Sequence, residues 1–384
     1  MWHLELLERP QGWGERLEAH QFGEIFLAKS SGNSEQFAPS STSFAGRAAE
    51  FLGSHQPKDF LDRPYVLVSG KGGVGKSFVA AALAALQSDL GRSPLLVETG
   101  DRSYFQELMG LTEVHQQAQP TPLGFDLVCW SGEGCLREYV LHLLKLEKIY
   151  RMFFENRVMR ALVNVAPGLN EIAILGKLTS GLRRVGPRMA HQRMIVDLPA
   201  TGHALAMLRA PLGLLEAVQV GPMASNSRDV HALLCEPRAT AMIVVTLLEE
   251  LPVTETLEFV AALKREFAMP IFIVVNRTQA APAPQAELQK LLVAELTMEM
   301  PVKPSAQDAT ANAIQSDVRE FIRGLIARDQ SEAQARQALH EGLRQLGMSP
   351  ETCIAEIPRY WAESPLDMIR SAKEELRKSL MTSS

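Results

Sequence analysis

The chain has 384 residues, 46% of them hydrophobic, and a formal net charge of −5. A chain this long and apolar builds a large buried core, which excludes small scaffolds that depend on disulfide or metal staples. The mild acidity gives no bulk attraction to nucleic acid or anionic lipid, and 26 Gly with 22 Pro is too few for a collagen-like or low-complexity chain.

The first residues mix acids, bases and apolar side chains, without the basic start and apolar run of a secretion signal. Residues 30–43 hold six serines and read as a linker. This divides the chain into an appendage with linker at 1–46 and a main body at 47–384, with a helical insert at about 131–190. In the body, strand-like runs alternate with helical ones. Tyr65–Val68 is followed by a helical stretch over 76–90, then Leu95–Val97, Phe125–Cys129 and Met194–Val196, which ends at Asp197. Met242–Thr246 and Ile271–Val275 flank a helical pattern at 254–267. Short continuous apolar strands with helical crossovers predict an α/β fold, a mostly parallel sheet with helices on both faces and function at the carboxyl ends of the strands. Residues 136–163 read as a helical region apolar over most of its circumference, suited to core packing, a dimer contact or a face for another protein. Residues 315–347 read as amphipathic helices.

The cysteines, Cys129, Cys135, Cys235 and Cys353, form no C-x-x-C pair. Their spacing supports no zinc site and fits a reducing compartment. The longest apolar stretches, such as 78–86, are too short to span a bilayer. The expected location is the cytoplasm.

The most specific motif is Gly70-Lys71-Gly72-Gly73-Val74-Gly75-Lys76-Ser77, which satisfies G-x-x-x-x-G-K-[ST] between a strand and a helix. Its glycines let the backbone wrap closely around phosphate. Consecutive N–H groups, Val74 and Phe78 within reach, and the helix N-terminus then face the anion. Lys76 is the expected neutraliser of the β- and γ-phosphates, and Ser77 the expected Mg²⁺ ligand. Asp197, at a strand end, is placed to organise the metal through water. The chain is therefore read as a P-loop NTPase that takes a nucleoside triphosphate and Mg²⁺. A second lysine, Lys71, resembles the deviant Walker A class, in which this lysine reaches across a nucleotide-sandwich dimer.

On these residues, with Ala166–Glu171, Asp197–His203 and Thr246–Thr256, the chain resembles the arsenite-pump and tail-anchored-protein-targeting group of SIMIBI ATPases over roughly residues 63–276. The resemblance implies a homodimer, ATP hydrolysis and a cycle coupled to a protein client or partner, a membrane protein among the options. It also implies that Asn276 and Arg277 sit where an Asn amide pairs with adenine N6 and N7. Ile357 and Pro358 correspond to a late loop beside the base. Two departures stand out. Gly100 falls where the family carries a water-orienting aspartate, so Asp101 or Glu98 is left for that task and turnover is expected to be slow or dependent on a partner. The family's C-x-x-C is missing, which argues against a zinc-clamped dimer. A nucleotide-gated scaffold and a partitioning or positioning ATPase remain alternative readings.

Overall fold

The structure, a computed structural model, describes residues 48, 52, 60–144, 168–186, 188–279, 306–359 and 364–381. Residues 1–46, the serine-rich linker and 145–163 lie outside the described residues. Strand β1 (Tyr65–Gly70) leads into helix α1 (Lys76–Asp89), and β2 (Leu95–Thr99) into the short helix α2 (Phe105–Leu108). Then come β3 (Gln119–Pro120), β4 (Asp126–Trp130), α3 (Gly132–Leu144), α4 (Leu169–Arg183) and β5 (Met194–Asp197). Next are α5 (Thr201–Ala217), α6 (Pro222–Cys235), β6 (Thr240–Thr246), α7 (Glu250–Glu266) and β7 (Ile271–Thr278). The last elements are α8 (Ala306–Gln345), α9 (Pro350–Cys353), β8 (Ile354–Pro358) and α10 (Pro365–Met381).

The sheet runs β3-β4-β2-β5-β1-β6-β7-β8. Every neighbouring pair is parallel except the two-residue edge strand β3, which runs antiparallel to β4. Each edge strand ends in proline, Pro120 on one side and Pro358 on the other. Alternation along the central strands splits the core in two, as the two-residue period of a strand requires. Val66, Val68, Leu96, Ile195, Ile243 and Val274 face α1 and α10. Leu67, Val97, Val196, Val244 and Ile273 face the layer built from α4 to α8.

Helix α1 is alanine-rich, and every residue from Val79 to Gln87 is buried. Alanine combines high helix propensity with a small profile, so this helix fits tightly between the sheet and α10. The described parts of the expected insert join the main core: Leu175 and Leu178 of α4 pack in the same cluster as Leu67 and Val97. Ala48 is fully buried in that cluster too.

Three elements differ from the sequence reading. Residues 306–345 form one 40-residue helix rather than several. The Ile357–Pro358 region, expected as a loop, is the end of strand β8, paired in parallel with β7. Helix α10 was not expected; it buries Ile369, Ala372 and Leu376 against the α1 side of the core. Lys373 and Arg377 of α10 both pair with Asp89 at the end of α1, at 2.7 and 2.5 Å. Among the described residues no helix is long and apolar enough to cross a membrane.

Candidate functional site

The loop between β1 and α1 lies at the carboxyl edge of the sheet, with β5 on one side of β1 and β6 on the other. Two glycines are dictated by contact. A Cβ on Gly70 would lie 2.1 Å from the Val245 carbonyl oxygen of β6. Gly75 takes φ 93°, and a Cβ there would lie 2.4 Å from Asn276 Nδ2. Gly72 and Gly73 meet nothing within 4 Å, so their outer side is open to a ligand. Lys76 Nζ donates to the Lys71 carbonyl at 3.2 Å, curling back over the loop. Burial holds its amine below the ordinary lysine value, with Asp197 acting in the opposite direction.

Asp197 ends β5, and Ser77 hydrogen-bonds its side chain. Burial pushes its carboxyl up to about 6, against the pull of Ser77 and Lys76. Asp197 Oδ1 is buried and has no hydrogen-bond partner among the described residues. A buried carboxylate oxygen left unsatisfied is costly. One placed beside a loop serine and a lysine matches the outer shell of a magnesium ion, so Ser77 and Asp197 fit that metal. The Asp197 backbone is itself fixed, since Thr99 Oγ1 donates to its carbonyl at 2.8 Å.

Asn276, on β7, is 3% exposed. Its Nδ2 donates to the Val74 carbonyl at 2.8 Å, and its Oδ1 accepts from the Arg277 N–H at 2.9 Å. The amide thus clamps the phosphate loop. Beyond these two bonds it keeps one hydrogen and one lone pair, the complement of an adenine edge. Arg277 follows in the left-handed region at φ 58°. A cavity of about 750 Å³ opens from Gly73, Gly75, Lys76, Ser77 and Phe78 and reaches Asn276, Arg277 and Pro358. That volume lies in the usual range for small-molecule sites.

The remaining candidates fall outside this cluster. Lys71 points to α7, where Nζ meets Glu255 Oε1 at 2.5 Å. Asp101 is exposed and is not among the residues lining the cavity. Gly100 is tied to β4, its N–H donating to the Trp130 carbonyl at 3.0 Å. Glu98 is 5% exposed and already committed. It accepts from the Ser103 hydroxyl, from Tyr104 N–H at 2.7 Å and from Phe105 N–H at 3.3 Å. It is therefore not an open ligand for metal or water. Sequence reasoning missed Tyr104, Met368 and Ile369 in the cavity wall and Glu255 opposite Lys71. Only Glu255 carried a signal, since it lies in the Thr246–Thr256 stretch of the resemblance.

A family model described as anion-transporting ATPase matches residues 63–224. The chain is 31% identical over 249 residues to ATPase BagA of Mycobacterium tuberculosis, across 60% of this chain and 69% of that protein. It is 24% identical over 264 residues to ATPase GET3B of Arabidopsis thaliana, across 56% of this chain and 64% of that protein.

Proposed function

The chain belongs to the anion-transporting ATPase family of P-loop ATPases, and on that premise we propose that it is an ATP-driven switch that dimerises around nucleotide and reports its state to a protein partner. The observation that carries this reading is the convergence of Lys76, Ser77 and the unpartnered Oδ1 of Asp197 beside one phosphate loop. In it, the loop N–H groups from Gly70 to Ser77 cradle the phosphates and Lys76 neutralises the β- and γ-oxygens. Ser77 and Asp197 hold magnesium, which supplies positive charge to the phosphates. Asn276 reads the adenine edge, with Arg277 and Pro358 beside the base. Its free cysteines and need for ATP suit a cytoplasmic chain.

Lys71 and Asp101 belong to the dimeric stage. Freed from Glu255, Lys71 extends to the phosphates of a second copy, where its charge is most useful as the transition state forms. Asp101 orients water only once its segment moves, so the isolated chain turns over slowly. The second reading, a nucleotide-gated scaffold, draws its support from the same loop. Gly100 has no carboxylate, Glu98 is engaged, and Asp101 stands outside the cavity.

Phosphate release with MgATP, with mass followed by light scattering in the same samples, separates the two. The switch predicts turnover that Lys76→Ala lowers at least about 100-fold, together with ATP-dependent doubling of mass. Doubling of mass without turnover, with or without added cell extract, selects the scaffold.

A further inference from the structure

The cavity at the phosphate loop is lined by segments that end or follow strands on opposite sides of β1. One wall carries Arg277, Pro358 and, from α10, Met368; the other carries Tyr104, Phe105 and Leu108. Phe105 is buried in the α1-side core, whereas Tyr104 is 64% exposed at the cavity mouth. Their rings meet edge-on, with centroids 5.1 Å apart. Among the described residues no carboxylate lines this space. Two largely apolar walls with an aromatic on one side suit a flat heterocycle, since ring faces stack favourably.

The Tyr104 wall hangs on one side chain. Glu98 is the fourth residue of β2 and sits opposite Asp197 of β5 in register. Its Oε1 takes the Tyr104 and Phe105 N–H groups, and its Oε2 takes the Ser103 hydroxyl. Ser103 Oγ in turn accepts from Gln106 N–H at 3.1 Å, which closes the first turn of α2. Hydrogen bonds to an ionised carboxylate are stronger than neutral ones, and burial magnifies them. Residues 103–106 are thus anchored to the strand beside Asp197, and Asp101 and Arg102, between Glu98 and that anchor, are exposed.

We propose that Glu98 is a positioning residue for nucleoside binding: it fixes Ser103–Phe105 so that Tyr104 stacks on the nucleoside half of ATP, leaving the phosphate half to the loop. This rests on the cavity being the ATP site. Phosphate-only ligands separate the two halves, because they need the loop and not the wall.

The experiment compares MgATP and magnesium tripolyphosphate by calorimetry, alongside kcat and KM, for the full chain and four variants. Glu98→Ala and Tyr104→Ala are each expected to weaken ATP at least tenfold and tripolyphosphate less than twofold. Glu98→Gln retains ATP affinity within threefold, because its carbonyl still accepts the two N–H groups and its amide donates to Ser103 Oγ. The double variant Glu98→Ala/Tyr104→Ala is no weaker than either single one, as two residues acting through one contact require. The proposal is overturned if Glu98→Ala weakens both ligands equally, if Tyr104→Ala binds ATP like the parent, or if Glu98→Gln loses kcat with KM unchanged. Should Glu98→Ala not fold, Tyr104→Ala, with its exposed side chain, decides alone. A parent chain that binds tripolyphosphate but not ATP refutes the ATP reading itself.

Discussion

Without metal, Asp197 titrates well above an ordinary carboxylate, at about 6, because burial disfavours its charge. Its ionisation therefore costs stability. A raised folded value means that the native chain holds this proton after the unfolded chain has released it. Stability drawn from Asp197 falls as pH rises from about 4 to about 6 and is flat beyond. The upper bound is about 3 kcal/mol, from the linkage between a pKa shift and free energy. Asp197→Asn removes the cost. In metal-free buffer it should melt like the parent near pH 4 and several degrees higher at pH 7, while its magnesium-dependent phosphate release collapses. A constant offset between the two chains across that range would mean that Asp197 is not the titrating group. The eight-residue loop motif was legible in the sequence because its chemistry is local. The clamp that Asn276 puts on the loop and the engagement of Glu98 were not. Asn276 grips the Val74 carbonyl 202 positions away, and Glu98 is spent on amides that only the folded turn brings near.

Among the elements, α7 and α10 carry most of what the sequence concealed. Helix α7 presents Glu255 to Lys71 with both side chains partly in solvent. Such a pair holds about 0.5–1 kcal/mol. Glu255→Gln should lower the ATP concentration needed for half-maximal dimer about two- to fivefold in sedimentation experiments. An unmoved midpoint would show that the pair does not compete with assembly. Helix α10 joins Ile369 to both the core and the cavity wall. Ile369→Ala should cost about 2–4 kcal/mol in urea titrations and weaken ATP as well. Loss of stability with ATP affinity intact would detach the helix from the site. The central strands were legible because they are continuous apolar runs. The last strand and last helix were not. Ile354–Pro358 is short and broken by Glu356 and a proline, and α10 has charges around a thin apolar stripe. The unbroken α8 hid a different ambiguity, since amphipathic periodicity does not mark whether a long pattern is one helix or two.

For the whole molecule, the order of the strands explains why these parts meet. Connections from β1 reach outward to β2 on one side, and later β6, β7 and β8 build on the other, so the loop after β1 opens into the crevice where the order diverges. The alternation of strands and helices was enough to anticipate that crevice, but not the strand order or the two layers that close it. The same sheet also limits how copies meet. Both of its margins finish in a proline, which has no N–H to offer a further strand. Copies are thus discouraged from zippering side by side into an endless ribbon, the ordinary hazard of an open sheet. Self-association is left to side chains rather than backbone. For the proposed switch, that leaves pairing to surfaces that a bound nucleotide completes, rather than to a ladder that would persist without it.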